Sequence, residues 1–201
     1  MIALSSGLSG TCQSAHIAAA EFGGKVFVVD SLSATAGQQV LVKHAIALRD
    51  AGKSAKEIFT ELMELRGKVR LFVRVETLEY LKRGGRISKT SAALGTILGI
   101  KPVLTLNGEG KLETVGKARG NKQSHKMLND SIRACGGIDF SMPVIMTYAG
   151  DIADGAVQAY LNDSAEIFGE DLNKLHIGQL GCVIGTHAGP GAIVIAFVPK
   201  N

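Results

Sequence analysis

Tryptophan is missing from the sequence, and phenylalanine and tyrosine bring the aromatic share to only 5%. Proteins that bind single-stranded nucleic acid stack bases on aromatic side chains set among cations, so this scarcity removes the usual platform for that function. Cysteine is sparse as well. Cys12, Cys135 and Cys182 are widely spaced and form no Cys-x-x-Cys pair, which argues against zinc or dithiol redox chemistry and favours buried or idle thiols. No apolar stretch reaches the ~20 residues that a spanning helix needs. The opening Met1-Ile2-Ala3-Leu4 lacks the basic flank and the longer apolar core of a secretory signal, so a cytoplasmic location is expected. Internal repeats and low-complexity segments are absent too.

What is present is enough apolar material for a full core: 46% of 201 residues, a length that suits one large domain or two small ones. The 22 Lys and Arg exceed the 18 Asp and Glu by four. Much of that excess falls between Lys82 and Lys126, so local charge is more informative than the total.

Apolar runs alternate with helical patterns, which predicts an α/β protein. Ser14 to Phe22 suits a short helix, and Lys25 to Asp30 reads as a buried strand. Thr35 to Ala51 carries apolar residues at helical spacing and closes on Gly52. Ser54 and Glu57 make a capping box for a helix over Ala55 to Leu65. Lys68 to Val75 alternates polar and apolar residues, which predicts a strand with one face toward solvent or a partner domain. Pro102–Leu106, the turn Asn107-Gly108-Glu109-Gly110 and Lys111–Val115 read as a hairpin. Helices follow over Asn121–Ala134 and Ala153–Phe168, with strands at Pro143–Tyr148, Leu175–Leu180 and Ala192–Val198. The expected architecture is therefore two α/β domains: residues 1–67 as a partial parallel-sheet domain, and residues 68–201 as a largely antiparallel sheet with helices packed on it.

Three motifs invite a chemical reading. In Leu4-Ser5-Ser6-Gly7-Leu8-Ser9-Gly10-Thr11 an apolar run breaks into hydroxyl and glycine residues before a helix. Glycines let a backbone approach an anion, hydroxyls donate, and a helix start supplies free N–H groups, although Ser and Gly also make ordinary caps and turns. Val183 to Gly191 sets Thr186 and His187 among three glycines and a proline, which reads either as a loop displaying an imidazole to a carboxylate or as a set of tight turns with an incidental histidine. Leu78 to Ser88 places Lys82, Arg83 and Arg86 around Gly84-Gly85, and Lys117-Ala118-Arg119-Gly120-Asn121-Lys122 is a basic turn into a helix. Both basic segments suit phosphate contacts or, more simply, solvated helix ends. No second His, Cys or acid stands at ligand spacing from His187, so no metal is expected. A hydrolase pair of Ser5, Ser6 or Ser9 with His187 lacks the first glycine of a nucleophile elbow and an orienting carboxylate.

Taken together, Ser5–Ala15, Val29-Asp30-Ser31 with Gly37, Leu78–Ser88, Gly95–Pro102, Lys117–Gly120 and Ile184–Gly191 resemble the blocks of the DegV family in order and interval. The resemblance spans nearly the whole chain. It implies a bacterial, non-catalytic carrier that holds a long-chain fatty acid by its carboxylate and presents it to a separate fatty acid kinase, with no cofactor. Carried over by motif, the head group would fall to Ser5, Ser6, Ser9, Gly10, Thr11, Thr186 and His187, and the carboxylate region or the kinase step to Arg86 and Arg119. An apolar slot supplies about 0.8 kcal/mol per buried methylene, and a desolvated carboxylate requires several donors.

The resemblance also implies a departure. Family members usually begin with roughly 80 more residues, a length judged against ordinary domain sizes, including a Thr-Asp-Ser strand end and a Thr-Ser-Gln-Pro segment. On that expectation the edge at Ala3-Leu4 and Val26–Val29 is less covered than in relatives. A second function class is a regulatory or nucleic-acid-binding module using the basic stretch 82–126, against which stands the lack of a recognisable binding motif.

Overall fold

The computed structural model describes residues 1–87, 99–151 and 155–200. The chain is a mixed α/β protein with two sheets. A two-stranded parallel sheet pairs β1 (Ile2–Ala3) with β2 (Val29–Asp30). The larger sheet has six strands: β3 (Arg70–Arg74), β4 (Ile100–Leu106), β5 (Leu112–Arg119), β6 (Val144–Tyr148), β7 (Leu175–Gln179) and β8 (Ile193–Phe197), in the order β5-β4-β3-β8-β6-β7. Every pairing in it is antiparallel except β6 with β7.

Helices cover both faces. On one face lie α2 (Thr35–Asp50) and α3 (Ala55–Leu65), where Val40, Leu41, Leu62 and Leu65 share a core with Leu71, Val73, Val194 and Ala196. On the other, Leu128 and Ile132 of α5 (Gly120–Ala134) pack with Phe72, Ile193, Ile195 and Phe197. Successive strand residues point to opposite faces, so two covered faces make a strand apolar throughout. That is why all five residues of β8 are buried.

The predicted helices α2, α3 and α5 and the hairpin β4–β5 appear where the periodicity puts them. Ser54 accepts from Glu57 N–H while the Glu57 carboxylate accepts from Ser54, closing the capping box. The first helix, α1 (Thr11–Ala20), starts three residues earlier than expected.

Four expectations are corrected. The buried strand over 25–30 shrinks to Val29–Asp30, because a ladder needs a paired neighbour and β1 supplies two residues; Val26 is 40% exposed. The strand over 68–75, expected to turn one face to solvent or to a partner domain, is covered on both sides and not solvated: Arg74 lies on the polar face yet is 1% exposed, beneath the start of α5. The helix over 153–168 divides at Ser164 into α6 (Ala156–Asp163) and α7 (Ala165–Phe168), and Ala153 lies outside the described residues. The glycine-rich loop over 183–191 begins as a helix, α8 (Cys182–Ala188), and turns only at Gly189 and Gly191, both with positive φ. Of the motif blocks, Ser88 and the segment 95–98 lie outside the described residues. The three cysteines are free thiols, and burial raises those of Cys12 and Cys135 above the usual range. No described helix is long and apolar enough to cross a membrane.

Candidate functional site

Beneath the first helical face lies a cavity of about 130 Å³. Its floor is the sheet, through Leu71, Val73 and Val194, and its walls include Leu81 of α4 (Glu79–Arg83), Leu112 of β5 and Ile184 of α8. Its polar lining is Ser9, Thr35, Arg86 and His187. Four separate segments thus bring one polar group each to an otherwise apolar space, a composition typical of small-molecule sites. Among the described lining residues there is no carboxylate.

The serine turn is fixed by interactions that a sequence does not display. Ser5 is fully buried; its hydroxyl donates to Gly110 O at 2.8 Å and accepts from Gly7 N–H at 3.1 Å. The turn therefore rests on the hairpin tip, and a Cβ on Gly7 would lie 2.6 Å from Glu109 O. Ser6 is exposed and donates its N–H to Asp30 Oδ1 at 3.1 Å. Burial pushes the Asp30 carboxyl upward, but the hydrogen bonds from Ser6 and Leu32 outweigh it and hold the group below the ordinary range. Ser9 Oγ lies 2.8 Å from Thr11 Oγ1 and accepts from Thr11 N–H, and of the hydroxyls in this turn Ser9 is the one that lines the cavity. Gly10 is the N-cap of α1, exposed and without a close neighbour for a Cβ.

His187 sits in the last turn of α8, half-buried, and its Nδ1 is buried without a hydrogen-bond partner among the described residues. Helix α8 packs on α4. The imidazole rests against Gly84, where a Cβ would approach Nδ1 to 2.0 Å. Arg86 follows the same turn: it donates to Gly84 O at 2.6 Å and Leu8 O at 3.2 Å, joining the serine turn to the Gly-Gly-Arg segment. Thr186 is exposed, outside the cavity lining, and its hydroxyl returns to Cys182 O at 2.8 Å. Arg119 is elsewhere, beside an open groove of about 610 Å³ between β5 and α5 that it shares with Lys117, Gln123 and Lys126.

The model of the family described as "Uncharacterised protein, DegV family" matches residues 1–200. The chain belongs to the DegV family. A DegV domain-containing protein from Deinococcus radiodurans is 36% identical over 202 residues, covering 98% of this chain and 69% of its own length. The solved structure of a fatty-acid-binding DegV family protein from Thermus thermophilus superposes with a TM-score of 0.82 at 38% identity, over 97% of this chain and 69% of that one. The Streptococcus pneumoniae Fatty Acid Kinase (Fak) B3 protein loaded with linoleic acid gives a TM-score of 0.85 over 99% of this chain and 70% of that one, at 23% identity, a likeness of fold.

Two features of this DegV chain escaped the sequence reading. Thr35 lines the cavity from the start of α2, with φ of 39°, a left-handed conformation uncommon outside glycine. Its segment Ser31-Leu32-Ser33-Ala34-Thr35 has the same small, hydroxyl-rich character as the serine turn, which was the available signal. Arg74 was the other. Its guanidinium pairs with Glu76 at 2.5 Å, donates to Gly191 O at 2.8 Å and contacts Asn121, and burial lowers its pKa to about 10. Nothing in the alternation of residues 68–75 marks Arg74 as interior.

Proposed function

We propose that this protein binds a long-chain fatty acid in the cavity between the sheet and helices α4 and α8, with the carboxylate toward Ser9, Arg86 and His187. The observation that carries the reading is the convergence of the serine turn and the Gly-His segment, distant in sequence, on one apolar space. A carboxylate needs donors once removed from water, and the described lining offers a cation, two hydroxyls and an imidazole without a competing acid. Family membership and the fatty-acid-binding relative support the same ligand. The cavity is smaller than the ~300 Å³ at which ligand pockets usually begin, so a long acyl chain has to part side chains such as Leu8 and Leu81.

In this reading the protein is a cytoplasmic carrier that needs no cofactor and performs no chemistry of its own. A separate fatty acid kinase acts on the presented carboxylate, with Arg86 at the cavity and Arg119 as an exposed partner contact. A hydrolase built on Ser9 and His187 has no carboxylate among the described lining residues to orient the imidazole. The nucleic-acid alternative is disfavoured by the lack of a recognisable binding motif and by the scarcity of aromatic side chains, while within 82–126 Arg83, Lys101, Lys111 and Lys126 are engaged by Glu79, Glu76, Glu109 and Asp130. Native mass spectrometry of purified protein, with organic extraction of the bound lipid, tests the proposal. Copurified or added fatty acid at one equivalent is the expected result. Absence of lipid together with no uptake of oleate or palmitate overturns it.

A further inference from the structure

We infer that Thr35, held by Thr147, is a further head-group donor of this site and that the pair selects an ionised carboxylate over a neutral chain end. The inference rests on the reading of the cavity as a fatty acid site. Thr35 Oγ1 and Thr147 Oγ1 stand 3.1 Å apart, so two hydroxyl protons share one hydrogen bond. Thr147 is fully buried in β6, on the face of the sheet that carries Ile145, and Thr35 is its hydrogen-bond partner. An unbonded buried hydroxyl proton is costly, so the Thr147 proton belongs in the bond to Thr35. The Thr35 proton is then left over. Thr35 lines the cavity, and its acceptor lone pair is already engaged by Thr147, so the free proton is available to an acceptor inside.

The backbone agrees with a placed side chain. Residues Leu32 and Thr35 have φ of 49° and 39°, and a β-branched residue in that region is strained unless its surroundings hold it there. The turn is tied on both sides: Leu32 N–H donates to Asp30 Oδ1 at 3.0 Å and Ser33 N–H to Ser31 Oγ at 3.1 Å before it, and Gly37 N–H donates to Ala34 O at 2.9 Å after it. Thr147 is registered against Val194 of β8, itself part of the cavity floor, so the hydroxyl pair stands directly beside the apolar surface. A hydrogen bond from a hydroxyl polarised by a second hydroxyl gains most when its acceptor is charged.

The test compares oleate with methyl oleate on the full chain by competition against a fluorescent fatty acid. Thr35→Val keeps the β-branch, and so the backbone preference, while removing the donor. It is expected to weaken oleate about ten- to a hundredfold, the loss of one charge-assisted hydrogen bond, and to leave methyl oleate within about threefold, where only a weak neutral acceptor is lost. Thr35→Ser keeps the donor and is expected to restore oleate binding, which separates chemistry from misfolding. Thr147→Val alone is expected to produce a partial loss, and the double variant to be no weaker than Thr35→Val. Unchanged oleate affinity in Thr35→Val, an equal loss for acid and ester, or strictly additive losses in the double variant overturns the inference while the fatty acid reading stands. Failure of the wild-type protein to take up oleate overturns both.

Discussion

The His187 imidazole lies against the Cα of Gly84, so closely that a methyl group there would sit 2.0 Å from Nδ1. Two motifs a hundred residues apart are thereby one unit: the Gly-Gly-Arg turn shapes the space in which the histidine stands. His187→Ala is expected to weaken fatty acid binding by about 1.5–3 kcal/mol, the worth of a hydrogen bond to a charged group. The free protein loses no hydrogen bond from Nδ1, which is unpartnered among the described residues, so its thermal midpoint stays within a few degrees. Gly84→Ala is expected to reproduce the binding defect by displacing the imidazole while the histidine itself is retained. Titration with oleate beside thermal melts of both variants checks this, and full affinity in Gly84→Ala contradicts it.

Ser5 and Ser9 separate by role although they stand in one motif. Ser5→Ala leaves Gly110 O and Gly7 N–H without their buried partner, and is expected to destabilise the fold by about 1–3 kcal/mol. Ser9 is exposed to the cavity, and Ser9→Ala is expected to lower lipid affinity with under about 1 kcal/mol lost in stability. Urea unfolding measures the first effect and ligand titration the second. The reverse assignment of effects contradicts the geometry.

Arg74 joins β3 to the segment after His187 through Gly191 O and to α5 through Asn121. Arg74→Ala is expected to cost about 1–3 kcal/mol, the range for leaving a buried partner such as Gly191 O unsatisfied, because Glu76 is partly exposed and keeps Lys101. Arg74→Lys is expected to recover little, since an ammonium cannot reproduce a guanidinium fork that serves Glu76, Gly191, Asn121 and Ser124 together. Chemical denaturation of the two variants decides the point, and near-wild-type stability in Arg74→Lys contradicts it.

His125 supplies a pH dependence. Burial lowers its pKa, and the Asp163 carboxylate at 2.7 Å offsets only part of that. The imidazole therefore binds its proton more weakly in the folded state than in the unfolded chain. Stability contributed by the neutral ring is present above the ordinary imidazole pKa of ~6.5 and is lost as pH falls through that value toward the lowered one. Thermal midpoints measured from pH 8 to pH 5 are expected to fall, and His125→Gln to flatten the decline. An unchanged slope in the variant assigns the effect elsewhere.

The residues of the sequence by themselves determined the long elements. Helical spacing over 35–51, the Ser54/Glu57 box and the hairpin turn at 107–110 are local arrangements, each fixed by neighbours within a few positions, and they stand in the fold as the pattern requires. The motif blocks likewise carried the family. What only the tertiary structure decided is which of those residues meet. Ser9, Thr35, Arg86 and His187 are brought to one cavity by strand order and by helix packing across the sheet, quantities that no local spacing encodes. The same non-local packing placed Arg119 beside a different groove, tied Ser5 to Gly110, and buried Arg74 on the polar face of the alternating strand, because α5 covers it. Local periodicity reports how a segment wishes to fold; which neighbour covers it is set by the sum of contacts along the whole chain.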